Sequence, residues 1–120
     1  MNKRTIVIGA SNNPDRYSFK AVSLLHQYGH EVFPLGIKKG AIGQIEILND
    51  KVDLTDIDTV TMYVNPTLQQ EWYFYILNMQ PKRIIFNPGT ENSEFRKLAV
   101  AHGIQCEEAC TLVLLNTNQY

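Results

Sequence analysis

Thr5-Ile-Val-Ile-Gly-Ala-Ser-Asn-Asn-Pro-Asp-Arg-Tyr-Ser18 is the stretch that decides the fold. Thr5 to Ile8 is short, apolar and β-branched, the pattern of a strand buried on both faces. Gly9 to Pro14 is rich in small polar residues and reads as a loop. From Ser18 to Tyr28, Ala21, Leu24, Leu25 and Tyr28 fall at helical spacing. Gly29 stands where a glycine commonly ends a helix. Strand, loop and helix in this order open a β-α-β unit.

The same alternation runs through the rest of the chain. Glu31 to Leu35 is a second strand, closed by Pro34 and Gly36. Ile37 to Asp50 is Gly-rich and poorly periodic, with room for a short extended piece near Ile45 to Ile47. Ile57 to Val64 is a third strand, ended by Asn65-Pro66, and Pro66 suits the first turn of a helix. Over Thr67 to Met79 one helical face carries Leu68, Trp72, Tyr75, Ile76 and Met79, while Tyr73, Phe74 and Leu77 lie off it. Arg83 to Phe86 is the next strand, and Asn87-Pro88-Gly89 is a turn. Asn92 suits the cap of a helix that buries Phe95, Leu98 and Ala99. Ile104 to Cys106 is a last short strand. Ala109 to Leu115 is helical or irregular, and the Asn-rich tail is expected to fray. Strands alternating with helices predict one α/β domain over residues 1–120, with a mainly parallel sheet of about five strands and helices on both faces.

Composition excludes several classes. The chain has 120 residues, 44% of them hydrophobic and 19% charged, which is ordinary globular composition. A net charge of −1 and a pI near 6.3 give no basic surface for nucleic acid. No apolar run approaches the roughly 20 residues of a membrane helix. Met1 to Arg4 leads straight into Thr5 to Ile8, a run too short for the apolar region of a signal peptide. Cys106 and Cys110 form no disulfide framework, and reduced thiols in the cytoplasm are the simpler reading.

Ligands of doubly wound sheets bind beyond the carboxyl ends of the strands. Four loops qualify by position: Gly9 to Ser18, Pro34 to Gly43, Val64 to Pro66, and Asn87 to Thr90. The first has the strongest chemistry. Gly9 lets the backbone approach a ligand, and Ser11, Asn12 and Asn13 offer short polar side chains and N–H groups. The following helix points its positive end at the same place, which favours phosphate. Arg16 and Ser18 add a charge and a hydroxyl. Gly9-Ala10-Ser11-Asn12-Asn13-Pro14 has one glycine where the dinucleotide fingerprint needs three. The second strand also lacks the acidic residue that holds an NAD ribose, and Lys38 and Lys39 follow instead. Two lysines suit an extra phosphate, such as the 3′-phosphate of coenzyme A or the 2′-phosphate of NADP.

Val7-Ile-Gly-Ala-Ser-Asn-Asn-Pro-Asp-Arg16, followed by Tyr28-Gly-His-Glu-Val-Phe-Pro34, resembles the small stand-alone CoA-binding domain proteins. These are similar to the N-terminal CoA-binding domain of the succinyl-CoA synthetase α subunit. The resemblance continues through Ile42-Gly43, Leu54 to Val64, Asn87 to Glu91 and Ala101 to Cys110. It implies a three-layer Rossmann-like CoA-binding domain. It implies a coenzyme A or acyl-CoA ligand with its diphosphate near Ala10, Ser11 and Arg16. Pro34 and Lys38 would face the adenosine or its 3′-phosphate, and Asn65 and Pro66 would border the remaining cleft. Relatives often carry an arginine where this chain has Val64-Asn65. The synthetase's phosphorylated histidine lies in a later domain that these 120 residues do not include, so ligase activity does not carry over.

Other chemistry is weakly represented. His26 and His30 are four residues apart, but Gly29 interrupts the helix between them, and no third metal ligand is near. Cys110 is placed to begin the last helix, where a thiol can become reactive, yet Glu107 and Glu108 oppose a thiolate. No Gly-x-Ser-x-Gly elbow is present. The expected function is non-catalytic binding of coenzyme A or acyl-CoA. The alternative is a subunit or remnant of a CoA ligase or a nicotinamide-nucleotide-dependent enzyme. A third reading is a structural dimer with a vestigial pocket. Tyr73, Phe74 and Leu77 either pack against a neighbouring helix or form a homodimer patch.

Overall fold

The computed structural model describes residues 2–120. Five strands form one parallel sheet: β1 (Thr5–Ile8), β2 (Val32–Leu35), β5 (Thr59–Met62), β6 (Arg83–Phe86) and β7 (Gln105–Glu108), in the order β2-β1-β5-β6-β7. β1 pairs with β2 through Thr5 opposite Val32 and with β5 through Thr5 opposite Thr59. The fold is α/β and Rossmann-like, as expected.

Period-two alternation sorts the strand residues between two cores. Ile6, Ile8, Val60, Met62, Ile84 and Phe86 face α3 (Tyr73–Met79) and α4 (Ser93–Ala101), where Ile76, Phe95 and Ala99 complete one apolar cluster. Val7 and Val32 face α1 (Tyr17–Gln27) and α5 (Thr111–Asn116), with Val22, Leu25 and Leu115. Polar Thr59, Thr61 and Arg83 are also buried in the sheet.

Several boundaries differ from expectation. The segment Ile37 to Asp50 folds into a hairpin of β3 (Ala41–Ile42) and β4 (Ile45–Glu46). Ile42 and Ile47 pack it onto the α1 side. The helix expected over Thr67 to Met79 is broken into α2 (Pro66–Gln69), a 3-10 turn (Gln70–Trp72) and α3. Gln69 explains part of the break: it is a buried polar side chain whose Nε2 donates to the carbonyls of Val64 (2.9 Å) and Thr90 (2.7 Å). Leu98 was expected in the core but is exposed; Phe95 and Ala99 carry the buried face of α4.

Tyr73 stacks on Phe95, with ring centroids 4.3 Å apart, and Leu77 packs against the core. The Tyr73–Phe74–Leu77 surface therefore reduces to Phe74, which is 82% exposed. The tail does not fray at its last residue. The Tyr120 hydroxyl lies 2.6 Å from Thr5 Oγ1, and its carbonyl accepts a hydrogen bond from Lys3 Nζ. An aromatic residue able to bury its ring overrides the polar composition around it. No helix among the described residues is long and apolar enough to cross a membrane.

Candidate functional site

The chain reverses its direction across the sheet between β1 and β5, so the crevice in which doubly wound sheets hold ligands falls at the carboxyl ends of these two strands. The β1–α1 loop fills its floor. Both Gly9 N and Ala10 N donate to the Leu35 carbonyl, each at 2.9 Å. Those amides tie the loop to β2 and are not free for a ligand. Gly9 has φ +92°, and a Cβ there would lie 2.8 Å from Val64 Cγ1. The glycine is required by the neighbouring strand end, and not by ligand approach as the sequence suggested.

The loop then bonds to itself. Asn13 N donates to Ser11 Oγ, Asp15 N to Asn13 Oδ1, and Arg16 N to the Asn13 carbonyl, all within 3.1 Å. Asn13 is thus a turn-former whose N–H is committed. The amides of Ser11 and Asn12 make no such hydrogen bond. Arg16 is the cap residue of α1 but supplies no side-chain cap, and no acidic residue occupies the first turn. The amides at the start of α1 are left as orphan donors. Ser18 sits among them, only 5% exposed, and its hydroxyl makes no hydrogen bond to the protein. This end of α1 carries positive dipole charge, unpaired N–H groups and a free hydroxyl.

The loop after β2 lies directly on this one. The α-carbon of Gly36 abuts the Ala10 carbonyl, and a Cβ on Gly40 would come 2.7 Å from Asn12 Nδ2. Between these two contacts in the chain, Lys38 and Lys39 are exposed. Pro34 is buried within β2, an edge strand where a missing N–H is tolerated. It shapes the strand that carries the lysine loop.

Two other expected contacts have internal duties. Asn65 caps α2 by accepting from Leu68 N (3.1 Å), with Pro66 in the first turn; both are exposed at the crevice edge. Asn87 is 2% exposed. Its Nδ2 donates to Thr61 Oγ1 (2.7 Å) and the Met62 carbonyl (2.8 Å), and its Oδ1 accepts from Thr111 N (2.9 Å). Asn87 is a bracket joining β5, β6 and α5, and the expectation that it contacts ligand is corrected.

Sequence reading missed Tyr63. It follows β5, packs with the α1-side core, and its hydroxyl is buried without a partner. The adjacent Thr61 and Thr111 hydroxyls bond to each other at 2.7 Å. Burial raises the Tyr63 pKa well above the usual phenol value. A tyrosine in an alternating strand carries no signal that separates it from ordinary core. All three histidines lie at the far end: His26 in the last turn of α1, His30 just after that helix, and His102 after α4. Among the described residues no His, Cys, Asp and Glu group is arranged to hold a metal.

The model of the CoA binding domain family matches residues 3–116. Among solved structures, an uncharacterized protein is 41% identical, with a TM-score of 0.97 over 100% of this chain and 99% of that one. A hypothetical protein from Pyrococcus horikoshii OT3 is 24% identical, with a TM-score of 0.86 over 96% of this chain and 82% of that one. Aspartate dehydrogenase from Thermotoga maritima shares the fold alone. It is 14% identical, with a TM-score of 0.57 over 87% of this chain and 44% of that one. No curated protein matches the sequence.

Proposed function

The chain belongs to the CoA binding domain family, and from that premise we propose that it binds coenzyme A or an acyl-CoA without transforming it. The observation that carries this reading is the uncapped start of α1, with orphan amides and the unpartnered Ser18 hydroxyl beneath the crevice. A diphosphate is the group such a helix end recognises. Ser11, Asn12, Arg16 and Ser18 would receive it. Ala10 supplies the tight turn under it. Lys38 and Lys39, held beside Asn12 through the Gly40 contact, suit the 3′-phosphate. Asn65 and Pro66 would border the pantetheine arm.

The donors around the crevice are those that hold anions. The histidines, the usual proton carriers near neutral pH, are at the other end of the sheet. This favours a binding module over an enzyme acting alone. Isothermal titration with coenzyme A, dephospho-CoA, NAD and NADP tests the reading. Coenzyme A should bind tightest. Tighter binding of NAD would overturn the proposal, and turnover of an acyl-CoA by the purified protein would overturn its non-catalytic part.

A further inference from the structure

At the amino ends of the strands, opposite the crevice, Arg83 opens β6 and is 7% exposed. Its Nε donates to Thr59 Oγ1 at 3.1 Å, and its Nη1 reaches Glu107 Oε1 only at 3.5 Å. Its Nη2 is buried and has no partner. Leaving a charged donor unmade inside a protein is costly. The Tyr120 ring covers the guanidinium, 4.6 Å from Cζ to the ring centroid. That contact serves the flat face of the group and leaves its N–H edge unmatched.

A cavity of about 380 Å³ opens here, lined by Arg83 and Tyr120 with Lys3, Lys82, Asp58 and Glu107. The acids already accept from protein donors: Asp58 from Thr59 Oγ1 at 2.7 Å, and Glu107 from Gln105 Nε2 and Arg83. The cations outnumber them three to two, and the unmatched atom is a donor. Burial, with the charges of Lys3 and Arg83, also holds nearby His30 below its ordinary pKa.

We propose that this end of the sheet is a second ligand site, which takes a small oxyanion, carboxylate or phosphate, on the edge of the Arg83 guanidinium. Two oxygens of such an anion match the paired N–H groups of arginine. Lys3 and Lys82 line its mouth. Nη2 is buried, so the anion reaches it when Tyr120, which lies over the guanidinium and lines the cavity, shifts away.

Amide chemical shifts followed during titration with inorganic phosphate, and separately with acetate, test the site. Thr5, Thr59, Arg83 and Gln105 report on this end, and Ser11, Asn12 and Ser18 on the crevice. Saturable shifts are expected at the Arg83 end, and the stronger of the two titrants identifies phosphate or carboxylate as the preferred group. Tyr120→Ala should bind roughly tenfold tighter, as expected for removal of a cover that is open about a tenth of the time. Lys82→Gln, a surface change that leaves the fold intact, should weaken binding, and Arg83→Gln in the Tyr120→Ala background should abolish it. Absence of saturable shifts at this end in both wild type and Tyr120→Ala overturns the proposal. So do shifts that both Lys82→Gln and Arg83→Gln leave unchanged. Phosphate shifts confined to Ser11, Asn12 and Ser18 also overturn it, while supporting the separate reading of the crevice.

Discussion

The α-carbon of Gly36 rests on the carbonyl oxygen of Ala10 with no room for a side chain between them. This contact joins the loops after β1 and β2 into one surface. The Ala10 carbonyl has little freedom to retreat, because Ala10 N and Gly9 N are both bonded to Leu35 O. Gly36→Ala should therefore cost about 1–3 kcal/mol, the range for overpacking a tight contact. Because it separates the two loops, it should also weaken coenzyme A binding. Thermal melting and titration calorimetry on the same variant check both. A Gly36→Ala protein with wild-type stability and affinity would show that the loops are not mechanically coupled.

Lys38 and Lys39 ride on the coupled loop, and both are exposed. Reversing both charges should lower coenzyme A affinity about tenfold, near 1.4 kcal/mol, the scale of two exposed ion pairs. Dephospho-CoA should lose much less, and added salt should shrink the difference. Equal losses for the two ligands would place the 3′-phosphate elsewhere.

The alternation of β-branched runs and helical spacing made the parallel sheet readable, most plainly at β1 and β6, which are buried on both faces and leave short apolar runs. Phe95 and Ala99 were readable as core from their spacing on one helical face. What periodicity could not show was which polar groups are already committed inside the protein. Gly9, Ala10, Asn13 and Asn87 look like ligand groups in the sequence, yet their hydrogen bonds go to Leu35, Ser11, Thr61 and Thr111 or, for Gly9, its space goes to Val64. Apart from the local Asn13–Ser11 bond, these are long-range pairings, invisible to local pattern. Ser18 reversed the trend: the residue is buried at the start of α1, yet no protein group bonds its hydroxyl. The docking of Tyr120 was likewise hidden, since its partners Lys3, Thr5 and Arg83 are distant in the chain.

Asn87 separates structural from binding roles by experiment. Asn87→Ala leaves Thr111 N and the Met62 carbonyl without their bonds to the Asn87 side chain. A loss of about 3 kcal/mol is expected, since each orphaned buried group costs about 1–3 kcal/mol. Coenzyme A affinity per folded molecule should stay within about threefold of wild type, less than 1 kcal/mol. Chemical denaturation with calorimetry on the folded fraction makes the comparison. A stable variant that no longer binds would return Asn87 to the ligand site.

Phe74 and Phe95 give opposite expectations one helix apart. Phe95 is fully buried between Tyr73 and Phe86, with a 4.3 Å stack on one side and an edge contact at 6.0 Å on the other. Phe95→Ala should cost about 3–5 kcal/mol, the usual range for emptying an aromatic core position. Phe74→Ser removes a side chain exposed to solvent, so stability should change by no more than about 0.5 kcal/mol. Urea unfolding midpoints for the pair measure the contrast. A large loss for Phe74→Ser would mean that Phe74 is covered in solution by something outside the chain.

His30 sets an expectation for acid stability. Its Nδ1 accepts from Lys3 N at 2.9 Å, which requires the neutral ring, and burial with nearby positive charge lowers its pKa from 6.5. The unfolded chain then binds a proton more readily than the folded one. Stability from this group is present above pH 6.5 and declines as pH falls from 6.5 toward the lowered folded value. Below that value the contribution is lost and the slope flattens. The effect is modest because the ring is only partly buried. His30→Gln should remove this slope while leaving the alkaline side unchanged. Urea unfolding across the acid range measures it; an identical slope in wild type and His30→Gln would assign the acid sensitivity to other groups.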